Sequence, residues 1–143
     1  MMELMALYRL AEQEDIPVDC FELRKREALS IMDGDGSCHI AINPLFLTDS
    51  VDEKIKLAHE LGHCMTGSFY NLHAALDVRK KHENRADKWA IQRLVPKEEL
   101  DAAVEAGYAD AWTLADYFGV SVEFMRKAMC WYANGNLATE LYF

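Results

Sequence analysis

With 143 residues, 51% of them hydrophobic, the chain has the length of one ordinary domain and enough apolar side chains for one core. No apolar run reaches the length of a bilayer span, and the N-terminal MMELMALYRLAEQED carries Glu3 and Arg9 before turning acidic, so neither a membrane helix nor a secretory leader is expected and the default location is the cytoplasm. A net charge of −9 opposes nucleic-acid binding by the whole domain, because that affinity comes largely from lysine and arginine on phosphates.

In chain order, residues 2 to 14 place Leu4, Met5, Leu7, Leu10 and Ala11 at helical spacing. Ala28 to Met32 and Cys38 to Ile42 read as strands, and the intervening Asp33-Gly34-Asp35-Gly36 is a hairpin signal. Ser50, with Glu53 three residues on, is a capping-box pattern that opens a helix through VDEKIKLAHELGHCMTGSF. Ile55, Ala58, Gly62 and Met65 share one face of it, with His59 and His63 beside that face. Residues 67 to 78 show no period and read as a loop. A second helix covers Lys80 to Leu94, and Pro96 suits the first turn of a third through Glu105. Two short helices follow, at 110 to 118 and 121 to 133, the first closed by Gly119 and the second capped by Ser121. The fold class is therefore α+β, mostly helical, with one small antiparallel sheet. Residues 1 to 143 form one domain, and the helices at 110 to 133 pack upon it.

Two features carry a bland reading. Cys20, Cys38, Cys64 and Cys130 form no CxxC pair and read as reduced thiols of a cytosolic core. Arg79, Lys80, Lys81, Arg85, Lys88 and Arg93 read as a solvated helix face, with a docking face for an acidic partner as the sharper alternative.

The chemistry concentrates in His59-Glu60-Leu61-Gly62-His63, an HExxH motif inside a predicted helix. Residues four apart on a helix project from one face about one turn apart, so both imidazoles reach one ion. Glu60 adjoins the first histidine, where a carboxylate faces the water at a metal and not the metal itself. A catalytic zinc usually takes three protein ligands and keeps one open position. Glu83-Asn-Arg-Ala-Asp87, with nineteen residues between His63 and Glu83, resembles the glutamate-zincin arrangement of HExxH followed by a helical ExxxD. That resemblance implies Glu83 as third ligand and Asp87 as hydrogen-bond acceptor for the first histidine. His73, His82 and Cys38 are rival third ligands. The metzincin pattern fails, because Thr66 and Phe69 stand where it needs glycine and histidine. Peptide deformylases also carry HExxH, but their cysteine context is absent around Cys38.

Taken together, LAHELGH (57 to 63), ENRADKWAIQRLVP (83 to 96) and LADYFGVSVEFMRKAM (114 to 129) resemble the ImmA/IrrE family of metallopeptidases. The resemblance covers residues 27 to 130, with Trp89 where that family usually has phenylalanine. It implies a zincin-like fold, a Zn2+ ion on His59, His63 and Glu83, and cleavage of a helix-turn-helix repressor in a mobile-element, phage or stress-response setting. On this reading Glu60 is the general base, and Tyr70, His73, His82 or Tyr108 helps hold the oxyanion. Two other classes compete. Residues 114 to 121 have the spacing of a helix-turn-helix, but residues 122 to 132 are largely apolar, so direct nucleic-acid binding is not expected. A metal-stabilised regulator that sequesters a partner without cutting it has no need of Glu60.

Overall fold

The computed structural model describes residues 2–70 and 73–137. In chain order these form α1 (Leu4–Gln13), β1 (Val18–Cys20), β2 (Ala28–Met32), β3 (Cys38–Ile42), a 3-10 turn (Pro44–Phe46), α2 (Ser50–Thr66), α3 (Leu76–Leu94), α4 (Lys97–Glu105), α5 (Ala111–Phe118) and α6 (Val122–Asn134). The class is mostly helical α+β, as the pattern predicts. No helix among the described residues is long and apolar enough to cross a membrane.

The expected hairpin forms: β2 and β3 pair antiparallel, with Ala28 opposite Ile42 and Met32 opposite Cys38. The sheet is nevertheless mixed rather than antiparallel. β1 lies parallel to β3, Val18 opposite Ile40, in the order β1-β3-β2. Three residues behind a proline offer no alternation to read. The strand exists because β3 presents its second edge: Ile40 donates its amide to Pro17 O (2.9 Å) and Phe21 donates to Ile42 O (3.1 Å). β3 is thus central and buries Cys38, Ile40 and Ile42, while β2 keeps one edge without a strand neighbour among the described residues.

Helix boundaries differ from expectation for local reasons. The cap of α2 is Asp49 and not Ser50. Its carboxylate accepts the Asp52 amide at 2.8 Å, and Asp52 in turn accepts from Thr48 at 3.2 Å. The helix stops at Thr66 instead of running on to Phe69, because Gly67 takes φ 65° and donates its amide to His63 O. α3 begins at Leu76, a turn ahead of Lys80. Leu76 and Val78 are exposed there, so its first turn carries no amphipathic signal.

The core joins Leu7 and Ala11 of α1, Ile40 and Ile42 of β3, Leu57, Ala58 and Leu61 of α2, Ile91 and Leu94 of α3, and Phe118 and Met125 of the last two helices. Only part of the expected α2 face belongs to it. Leu57 and Leu61 are fully buried, whereas Ile55 and Met65 are half-buried at its margin. α2 is covered on more than one side: it packs on α1, on β2 and β3, and most extensively on α3. The α5–α6 pair spends Leu114, Phe118, Phe124, Met125 and Ala128 on the core, which is helix packing of the expected kind.

A further expectation is overturned. Cys38 and Cys64 are not separate thiols: they form a disulfide between β3 and α2, Cα atoms 6.0 Å apart, and only Cys20 and Cys130 are free. Sequence spacing could not reveal this, since the two lie 26 positions apart and only the packing of α2 on the sheet brings them together. Loop closure over that separation contributes roughly 2–4 kcal/mol. Cys38→Ser with Cys64→Ser is therefore expected to lower the denaturant midpoint accordingly, and an unchanged midpoint would mean that the pair adds nothing to stability.

Candidate metal centre

The two best-packed helices build this site. His59 and His63 stand one turn apart on α2, and Glu83 and Asp87 one turn apart on α3. The helices approach closely enough for the pairs to meet because residue 62 is glycine: a Cβ there would lie 2.5 Å from the Ala86 carbonyl oxygen and 3.0 Å from Ala86 Cα. The carboxylate of Glu83 reaches both rings, with Oε2 2.7 Å from His59 Nε2 and Oε1 3.2 Å from His63 Nε2. One ligand atom from each of His59, His63 and Glu83 falls within 4.8 Å of the others, which makes the group compatible with a metal ion.

The far side of each ring fixes its tautomer. His63 Nδ1 lies 2.6 Å from the Ser68 carbonyl oxygen, which can only accept, so Nδ1 carries the proton and the neutral ring has its lone pair on Nε2. Gly67 causes this contact, since its left-handed turn folds the chain back and leaves Ser68 fully buried against the ring. His59 Nδ1 lies 2.8 Å from Asp87 Oδ1, and Asp87 also receives Lys127 Nζ from α6 at 3.1 Å. Both Nε2 atoms are thus turned inward by acceptors behind them, the donor arrangement a divalent transition metal requires.

Charges balance within the cluster. Burial disfavours the His59 imidazolium, yet hydrogen bonds to Asp87 and Glu83 outweigh it and raise the pKa to about 10. Burial pushes the Glu83 carboxyl up, but the two histidines hold it well below the usual carboxylate range. Asp87 behaves likewise: burial is overcome by His59 and then by Lys127.

Glu60 is 8% exposed and lines a cavity of about 90 Å³ together with His63, Tyr70, Glu83 and residues 28–30 of β2. The Glu60 carboxylate favours the charged form of the adjacent His59. Tyr70 donates its hydroxyl to Glu83 Oε1 at 2.8 Å and stacks on His82, ring centroids 6.0 Å apart. Tyr108 stands away from the cluster, exposed against Tyr117. His73 lies in the loop before α3, exposed, and neither it nor His82 belongs to the convergent group. Cys38 is committed to its disulfide. Three contributors went unforeseen. Ser68 acts through its backbone and was discoverable only from the stop signal at Gly67. Lys127 and Arg26 reach the cleft from distant elements, and no spacing rule connects them to it.

Comparison with curated proteins finds no match. The sequence of residues 22–129, which includes every member of the cluster, matches the peptidase family described as the IrrE N-terminal-like domain. On the strength of that match, the chain belongs to this family.

Proposed function

We propose that the chain is a zinc-dependent endopeptidase in which His59, His63 and Glu83 hold the metal, Glu60 is the general base and Asp87 orients His59. The observation that carries the reading is the convergence of two inward-turned Nε2 atoms and one carboxylate beside a glutamate that lines the adjoining cavity. Two imidazoles and a carboxylate are a common zinc set that leaves a position open. When bound, zinc polarises a peptide carbonyl and brings the pKa of its water to about 7.

The chain's own residues divide the remaining work. Glu60 accepts a proton from the attacking water and returns it to the departing amine nitrogen. Tyr70 is our choice as second donor to the developing oxyanion. Burial and then the neighbouring Glu83 carboxylate push its phenol up to about 12, so it keeps its proton at neutral pH. The outer edge of β2 accommodates an extended segment of substrate, since residues 28–30 line the cavity with Glu60 and His63. Asp87 and Lys127 form a chain behind His59, and Asp87→Ala is expected to weaken zinc affinity or activity by about 10–100-fold with the fold intact. Zinc affinity and turnover equal to wild type would return Asp87 to a surface charge.

The substrate we favour is a helix-turn-helix repressor, on family resemblance, which implies a cytoplasmic setting. The competing reading, a regulator that sequesters its partner, leaves unexplained why a carboxylate lines the cavity beside the convergent group without belonging to it. The test is twofold. Purified protein should carry about one zinc per chain and His63→Ala almost none. Co-expression with the helix-turn-helix protein of a neighbouring gene should yield two fragments whose masses sum to the repressor plus one water. Absence of any transition metal under metal-replete conditions refutes the site. An intact repressor that has nevertheless lost its grip on DNA favours sequestration.

A further inference from the structure

Two cavities meet at Glu60, and both are lined by Arg26, Ala28, Tyr70 and Glu83. The larger one, about 450 Å³, is also lined by two lysines, Lys56 and Lys127. Those two are committed. Lys56 binds Asp52 at 2.7 Å and the Phe46 carbonyl oxygen at 2.7 Å, and Lys127 binds Asp87 at 3.1 Å. The guanidinium of Arg26 differs: it is exposed and makes no hydrogen bond or ion pair among the described residues. Its backbone is nonetheless fixed. The fully buried Asn43 donates Nδ2 to the Arg26 carbonyl oxygen at 3.0 Å, and the Asn43 amide donates to Glu27 O at 2.9 Å. The guanidinium is therefore presented at the head of β2, the strand that borders the cavity.

A second arginine stands on the same helix as Glu83. Arg79 lies one turn before Glu83 on α3, and its Nε is buried without a partner among the described residues. Tyr70, hydrogen-bonded to Glu83 at 2.8 Å, thus lines both cavities together with the uncommitted guanidinium of Arg26. In a chain of net charge −9, cations left without carboxylates beside a cleft are unusual. Arginine binds a carboxylate through a planar, two-toothed contact, and leaving it unpaired forgoes that contact.

We infer that Arg26 is a specificity-determining residue that receives a substrate carboxylate next to the scissile bond. This rests on the peptidase reading and narrows it: the preferred peptide carries Asp or Glu within two positions of the cut. A chain-terminal carboxylate offers the same chemistry, so the test separates the two sources.

The experiment uses zinc-loaded protein and four peptides: three amidated ones that differ at a single position near the cut, acidic, neutral or lysine, and the neutral one again with a free C-terminus. Wild type should prefer the acidic peptide over the amidated neutral one by about tenfold in kcat/KM, the scale of a charge-assisted hydrogen bond. In Arg26→Ala the ratio should fall to near one, and in Arg26→Glu the lysine peptide should become the best of the four. Zinc content and melting temperature are read beside each variant. The same peptides are titrated onto Glu60→Gln, alone and combined with Arg26→Glu, by fluorescence anisotropy. That binding arm reads the preference even if wild type cuts nothing, an outcome that would sink hydrolysis and not the carboxylate site. Equal binding and equal cleavage across acidic, neutral and lysine peptides overturns the inference while leaving the peptidase standing. A preference for the free over the amidated C-terminus, with no response to the internal acid, overturns the internal assignment in favour of terminal recognition.

Discussion

Glu60→Gln is expected to leave about one zinc per chain in place and to lower the cleavage rate by about 10²–10⁴-fold. Glutamine keeps the size of the side chain and one acceptor oxygen but takes up no proton at neutral pH, so only the base is removed. Glu60 is not among the convergent ligand atoms, and metal retention follows from that. Zinc by elemental analysis and repressor fragments by mass spectrometry read the two halves separately. A variant that loses zinc would make Glu60 a ligand. One that cuts at the wild-type rate would pass the base to another group, and Tyr70 would be the first to test.

Gly62→Ala is the second substitution with a large expected effect, and it touches no reacting group. An alanine methyl at 62 would press against the backbone of Ala86, carbonyl oxygen and Cα alike, which cannot turn aside as a side chain would. α2 and α3 must part, and overpacking of this kind costs about 3 kcal/mol at the upper end of its usual range. Separation also draws Glu83 away from His59 and His63, now 2.7 and 3.2 Å from it. Zinc affinity should therefore fall by at least about 100-fold, even at temperatures where the variant stays folded. Competition with a chelating dye at 10 °C measures this apart from unfolding. Wild-type affinity in a stably folded Gly62→Ala would mean that the helix separation does not set the ligand geometry.

The legible part of the site was its local part. His59, Glu60 and His63 lie within one turn and a half of helix, and Glu83 and Asp87 lie within another, so helical periodicity alone groups each set. That the two sets meet was not contained in spacing. It entered through resemblance to a known arrangement, and the structure gives the physical reason in the Gly62–Ala86 approach. Among four proposed donors, the sequence had no means of preferring Tyr70, whose place depends on a loop with no period. The cysteines illustrate the limit most clearly. Composition and spacing favoured four thiols, yet the face by which α2 packs on β3 sets Cys38 beside Cys64.

By itself, then, the sequence determined what short-range physics determines. The hairpin strands at 28–32 and 38–42 match their expected limits, because alternation and a glycine turn are local codes. Ser121 caps its helix and Gly119 ends the one before it, because capping involves residues at most four apart. Tertiary structure decided everything that depends on two segments finding each other. β1 pairs because β3 has a free edge, not because Val18–Cys20 has strand character of its own. Ser68 supports His63 through a carbonyl that every residue possesses, and Lys127 reaches Asp87 across forty positions. Such contacts leave no periodicity in one chain, since they are settled by packing between helices whose order in space the linear pattern does not encode.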